Sequence, residues 1–149
     1  MNDDLRERAL RLLARREHAR AELARKLAPH AESPDELDVL LDDLQNRRLL
    51  SDARYAELRV NTRSARYGNA RLLQELRATG VDAEAVDQAL ATAADELSRA
   101  RQVWLRKFGE RGLPEDAAER ARQTAFLMRR GFSADTIRRL LRGDYHGEE

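Results

Sequence analysis

The sequence predicts an all-α protein: a tandem array of three three-helix repeats, about nine helices in all. Three observations predict it. Apolar residues recur at helical spacing along nearly the whole chain, and no segment sustains the period-two alternation of a half-buried strand. The same succession of cap, acid and apolar stripe returns about every 50 residues. Composition agrees: of 149 residues, 37% are charged, 42% apolar and only 5% aromatic, the mixture of helices with one buried stripe and a charged outer face. Seven Gly and three Pro leave little room for long loops.

The elements follow in order. Leu5, Ala9, Leu12 and Leu13 mark a first helix; Leu23 and Leu27 mark a second, stopped near Pro29. Ser33-Pro34-Asp35-Glu36 reads as a capping box, in which the Ser hydroxyl takes one free N–H, Glu36 reaches back to another, and Pro34 sits where its missing N–H costs nothing. Leu37, Leu40, Leu41 and Leu44 form the stripe of this third helix. Tyr55, Ala56 and Val60 mark a fourth, ending near Tyr67-Gly68. Asn69 is placed to cap a fifth, with Leu72, Leu73 and Leu76 inside and Gly80 as a left-handed stop. Asp82 caps a sixth, carrying Val86, Ala89 and Leu90. Leu97, Ala100, Trp104 and Phe108 define a seventh. Pro114 opens an eighth, with Ala121, Ala125 and Phe126 inside and Gly131 as its stop. Ser133 caps a ninth, with Ile137, Leu140 and Leu141.

The segment LRATGVDAEAVDQAL, Leu76–Leu90, shows the repeat. Moved 51 residues on, Leu76, Gly80, Asp82, Glu84, Val86 and Leu90 fall on Leu127, Gly131, Ser133, Asp135, Ile137 and Leu141. Moved 49 back, Leu76, Asp82, Glu84, Val86 and Leu90 fall on Leu27, Ser33, Asp35, Leu37 and Leu41. The expected boundaries are residues 1–50, 51–93 and 94–143, with a short acidic tail at 144–149. A DNA-reading helix-turn-helix around Gly80 is disfavoured: the second helix would bring Asp82, Glu84 and Asp87 to the phosphates with no base beside them. The last helix differs, since Arg138, Arg139 and Arg142 follow Arg129 and Arg130, and there a contact with phosphate or an acidic surface is physically open.

The net charge of +1 conceals alternating blocks. Residues 1–31 carry +3, 32–53 carry −5, 54–80 carry +4, 81–98 carry −5, 99–113 carry +4 and 120–142 carry +6. Solvated helix faces explain each block alone; the alternation follows the order of the helices.

Several function classes lose support. Without cysteine there is neither a disulfide framework nor a thiolate metal site, and His18, His30 and His146 show no paired ligand spacing. No phosphate-cradling glycine loop is present. His18 is equivalent to Tyr67 of the second repeat, which favours packing at a joint over catalysis, and Trp104 with Phe108 reads as core. The expectation is a non-enzyme without metal or cofactor. No apolar run is long enough for a membrane span, and MNDDLRERAL has no apolar signal core, so a cytoplasmic location is expected.

Four stretches carry a resemblance as well: ALRLLARREHARAELARKL at Ala9–Leu27, LLSDARYAELRVNTR at Leu49–Arg63, YGNARLLQELRATGV at Tyr67–Val81 and FLMRRGFSADTIRRLL at Phe126–Leu141. In their order and spacing they resemble the RecX family of RecA regulators, over residues 5 to 143. Two positions depart from the family's habit: Ala19, where a serine is usual, which weakens a helix cap, and Arg59, where an aromatic is common. The resemblance implies an elongated, curved helical-repeat protein that binds the RecA nucleoprotein filament. It implies modulation, mainly inhibition, of strand exchange, ATP hydrolysis and the co-protease activity behind the SOS response. It implies no catalytic residues.

Joined to the charge blocks, it marks Arg15, Arg16, Arg20, Arg63, Arg66, Arg71, Arg129, Arg130, Arg138 and Arg139 as candidates to face RecA carboxylates or DNA phosphates, single- or double-stranded. The bidentate fork of arginine suits either target. A monomer is expected. The competing reading is a stand-alone nucleic-acid-binding helical protein without RecA dependence; a blander one is a structural adaptor.

Overall fold

The computed structural model describes residues 3–144, so the acidic tail, Asp144 apart, and His146 lie outside the described residues. Among those residues every regular element is helical. The order is α1 (Asp3–Arg15), α2 (Arg20–Leu27), a 3-10 turn (Ala28–His30), α3 (Pro34–Asn46), α4 (Asp52–Arg63), α5 (Asn69–Ala78), α6 (Ala83–Ala91), α7 (Glu96–Phe108), α8 (Ala117–Arg129) and α9 (Ala134–Leu141). This is the expected succession of three helices taken three times.

Packing gathers the helices into two compact units, one of residues up to Leu58 with Leu76–Ala89, the other of Arg59–Glu75 with residues from Leu90 onward. The first unit closes on leucines: Leu5 and Ala9 of α1, Leu23 and Leu27 of α2, and the α3 stripe Leu37, Leu40, Leu41 and Leu44, with Leu50 behind it. The second closes on Leu97, Ala100, Val103, Trp104 and Phe108 of α7, Leu127 of α8, Phe132, and Ile137, Leu140 and Leu141 of α9. Each fully buried leucine contributes about 1.5–3 kcal/mol through removal from water.

The caps form largely as local sequence dictates. Ser33 Oγ accepts from Glu36 N at 3.1 Å, Asp82 Oδ1 from Ala85 N at 2.8 Å and Ser133 Oγ from Thr136 N at 3.2 Å. Ala19 has no side chain to cap α2, and Glu22 alone accepts from its N–H, at 3.4 Å. Four local expectations are corrected. Glu36 does not return the Ser33 bond; its Oε1 is buried without a partner. Asn69 Oδ1 accepts from Arg99 rather than closing α5, and Ala70 N bonds Gly131 O at 3.1 Å instead. Pro114 does not open α8; Asp116 caps it, accepting from Glu119 N at 2.8 Å. Ala121 and Ala125 are exposed, and the inward position between them belongs to Gln123, which is buried because Trp104 Nε1 donates to its Oε1 at 2.8 Å.

Within each unit one glycine joins a helical hairpin to the repeat before it. Gly80, at φ +87°, sits so close to Ala21 that a Cβ on it would lie 2.5 Å from that residue's Cβ. Gly131, at φ +91°, stands over Arg71 in the same way. Left-handed backbone and the absence of a side chain are both needed there. The matching joints are the structural content of the repeat.

Candidate nucleic-acid interface

The residues between α4 and α5 form a tight connection in the second unit. Gly68 N donates to Arg130 O at 2.8 Å, and a Cβ on Gly68 would collide with the backbone of Gly131 and Phe132. Arg99 of α7 fixes the rest. Its guanidinium, 6% exposed, donates to Ala94 O at 2.8 Å, Ser64 O at 3.0 Å, Tyr67 O at 2.8 Å and Asn69 Oδ1. Burial lowers its pKa from the ordinary arginine value, against the pull of Glu96 and Asp95. Glu96 completes the joint, accepting from Asn69 N at 2.7 Å, Ser133 Oγ at 2.9 Å and Thr136 Oγ1 at 2.6 Å. So anchored, the connection holds Arg66 and Tyr67 at the edge of a cleft of about 630 Å³.

Arg66, Tyr67, Arg106, Lys107, Phe126 and Arg130 line that cleft. Phe126 is anchored edge-on against Phe108, ring centroids 5.4 Å apart, while Lys107 Nζ and Arg130 lie 5.5 and 5.2 Å from its centre. Tyr67 is surrounded by guanidinium groups: Arg71 at 4.2 Å, Arg63 at 4.5 Å and Arg130 at 5.4 Å from the ring centre. Such stacking orients cations without neutralising them. Arg106 donates to Ala65 O at 2.7 Å and Arg130 to Arg66 O at 3.4 Å, so carbonyls hold these side chains too. Among the described residues, none of Arg66, Arg106, Lys107 and Arg130 has a carboxylate within ion-pair distance.

Glu75 is the acid of this region. It receives Arg63 at 2.7 and 2.8 Å and Arg71 at 3.3 Å, with Arg59 at 3.7 Å. Burial pushes its carboxyl pKa up, but the Arg63 bond and the charges of Arg63, Arg71 and Arg59 outweigh this and hold it below the ordinary glutamate value. One carboxylate among three arginines leaves the neighbourhood strongly positive. A basic cleft with interleaved aromatic rings suits a sugar–phosphate backbone with unstacked bases.

The other candidates are dispersed. Arg129 is exposed on α8, next to the cleft residue Arg130, and its carbonyl accepts from Arg71 at 3.4 Å. Arg138 lies on α9 beside Asp135, at 3.5 Å, and Arg139 is half-buried on the same helix; neither lines the cleft. In the first unit, Arg15 borders a separate basic hollow with Arg8, Arg11, Lys26 and His30. Arg16 is held by Glu22 at 2.5 Å, and Arg20 by Asp42 at 2.7 Å together with Gln45. Both are committed to intramolecular pairs. Sequence reasoning passes over Arg106, Lys107, Tyr67 and Phe126 as site residues; the +4 block at residues 99–113 is the signal that holds the first two.

His18 is a packed joint residue, as its repeat equivalence suggests. It is 2% exposed, its Nδ1 bonds Arg16 O at 3.1 Å, and Lys26 Nζ lies 3.0 Å from Nε2. Burial lowers its pKa below the ordinary 6.5. No cluster of three metal-ligating side chains occurs among the described residues.

Comparison with known proteins gives a consistent picture. Residues 6–44, 51–90 and 94–141 match the family models for the first, second and third three-helix domains of RecX. The chain is 54% identical to Regulatory protein RecX of Leptothrix cholodnii over 139 residues, covering 93% of this chain and 87% of that one. It is 49% identical to the protein of the same name from Ralstonia nicotianae over 140 residues, with the same coverage. The crystal structure of RecX from Lactobacillus salivarius superposes with a TM-score of 0.83 at 21% identity, covering 96% of this chain and 97% of that one; at that identity the likeness speaks for the fold.

Proposed function

The chain belongs to the RecX family of RecA regulators, and from that premise we propose that it acts on the RecA–DNA filament as an inhibitor, gripping the filament's nucleic acid through the cleft of the second unit. The observation that carries the nucleic-acid half of this reading is the set of four cations, Arg66, Arg106, Lys107 and Arg130, beside Tyr67 and Phe126, with no carboxylate partner among the described residues. Exposed cations of this kind contribute little singly, so affinity requires several acting together on successive phosphates. Opposing charge then supplies attraction, and the rings discriminate for splayed bases over stacked ones.

With no catalytic constellation required, regulation follows from occupancy. A protein fixed on the filament stabilises the RecA states that tolerate it and disfavours those it obstructs, by as much as its affinities for the two differ. Strand exchange, ATP turnover and co-protease activity all depend on filament state, so all three fall together. The chain works as a cytoplasmic monomer in this reading.

A gel shift tests it, with single-stranded and duplex DNA, with and without RecA and ATP. The expected result is weak binding to naked DNA that favours single strands, and far tighter binding when the strand is coated with RecA. Tight binding to naked DNA that RecA does not improve would mark instead a stand-alone nucleic-acid-binding protein.

A further inference from the structure

A second basic surface lies on the first unit, along the C-terminal half of α1. The chain carries no acid between Glu7 and Glu17, and Arg8, Arg11 and Arg15 recur there three and four residues apart. That spacing sets them on one face of the helix, as a stripe about 10 Å long. With Lys26 of α2 they border a hollow of about 550 Å³ that has no carboxylate in its lining among the described residues. Two of the four cations are engaged: Arg8 reaches Asp4 at 3.3 Å, and Lys26 Nζ lies 3.7 Å from Glu22 and 3.0 Å from His18 Nε2. Arg11 and Arg15 are exposed, and neither has a hydrogen bond or ion pair among the described residues.

Like charges one helical turn apart repel, so the stripe weakens the helix that bears it. The helix dipole favours a base in the last turn, which accounts for Arg15 but not for Arg8 or Arg11. A bound polyanion removes the repulsion, and the lining selects which polyanion. Leu12 and Leu27 are turned to the leucine core, so the hollow offers no apolar anchor of the kind a protein partner needs. It has no aromatic ring either, so unstacked bases find no platform there, in contrast to the cleft with Tyr67 and Phe126. What remains is recognition of phosphate by guanidinium, which reads no base. Duplex DNA suits that chemistry: its bases stack on one another, and it carries more phosphates per length than a single strand. The stripe spans roughly three base-pair steps of about 3.4 Å.

We propose that this hollow binds the sugar–phosphate backbone of duplex DNA, leaving the cleft of the second unit to the single strand. Strand exchange brings those two substrates together, and the chain holds each through its own surface. The assignment rests on the α1 stripe and stands apart from the cleft. Arg11→Gln combined with Arg15→Gln in the full chain tests it. A labelled duplex, and the single strand of the same sequence, are titrated by fluorescence anisotropy across a salt series with no RecA present.

Duplex affinity is expected to fall about tenfold or more at about 0.1 M salt, and the slope of log affinity against log salt to shrink by about 1.8. Single-strand affinity is expected to change less than about threefold. Neither side chain has a partner to lose, so the melting temperature holds or rises, which certifies the fold. Arg11→Lys with Arg15→Lys keeps both charges and is expected to keep duplex affinity within a few-fold. Unchanged duplex binding by the glutamine variant overturns the proposal and leaves the proposed function standing. Equal losses on duplex and single strand overturn it too, as does a parent chain that binds no duplex. Retained duplex binding with lost affinity for RecA free of DNA assigns the hollow to an acidic protein surface and overturns it. Selective duplex loss here, with single-strand binding untouched by Arg106→Gln and Lys107→Gln, upholds the hollow and removes the cleft.

Discussion

Replacing Arg106 and Lys107 together by glutamine tests the cleft with a predictable magnitude. Both side chains are exposed, and the direct bond lost is that from Arg106 to Ala65 O, so folding changes little. The cleft presents four cations with no carboxylate within ion-pair distance among the described residues. Each phosphate neutralised on a single strand adds about 0.7 to the slope of log affinity against log salt. Four contacts therefore give a slope of about −2.8, and the double variant about −1.4. At 0.1 M salt the missing part corresponds to roughly 25-fold in affinity, or about 1.9 kcal/mol. Fluorescence anisotropy of a labelled oligonucleotide, titrated at several salt concentrations, reads both quantities. An unchanged slope in the double variant would refute the claim that these side chains meet phosphate.

Other outcomes follow from the same contacts. Arg99→Met removes the donor for four acceptors in the 64–69 connection and its anchor; it is expected to cost about 2–4 kcal/mol and to lower the melting temperature by roughly 5–10 °C by calorimetry. Gly68→Ala sets a methyl into the Gly131–Phe132 backbone, and thermal melts are expected to show a loss of about 1–3 kcal/mol. His18 is held neutral in the fold, with its pKa lowered by burial first. The unfolded chain then binds the extra proton, so stability falls as pH drops below the ordinary 6.5. Melting curves between pH 7.5 and 5.5 check this, and His18→Gln is expected to flatten the dependence. The Glu22 and Glu75 carboxyls are depressed despite burial, by Arg16 and by Arg63 respectively. Their contribution is full at neutral pH and is lost as pH falls through and below the usual carboxylate range, which places acid unfolding there.

The helices were legible because burial imposes its own period. Leu23, Leu37, Leu41, Leu76, Val86 and Ile137 are core residues in the positions their spacing requires. Caps at Ser33, Asp82 and Ser133 were legible because hydroxyl or carboxylate and N–H lie three residues apart. What resisted sequence reasoning depends on distant partners. Gln123 is buried for the sake of Trp104, 19 residues away, and that displaces Ala121 and Ala125 outward. Asn69 gives up the cap to serve Arg99, 30 residues along.

The interface divides in the same manner. Block charge counts Arg16 and Arg20 as surface bases, yet the fold sets Arg16 on Glu22 and Arg20 on Asp42. Arg63, Arg66, Arg71 and Arg130 do converge, but around Tyr67, an aromatic that sequence reads as a helix end. Arg106 and Lys107 reach the same cleft from α7, and only the packing of α7 beside the 64–68 connection reveals it.

In the proposed function this chain restrains RecA by occupying its filament. Hydrolysis of ATP by RecA on single-stranded DNA, titrated with this protein at a low and a moderate salt concentration, tests it most directly. Inhibition is expected to rise to saturation, with the half-point moving to higher protein concentration as salt increases. A hydrolysis rate that does not change at either salt concentration would contradict it.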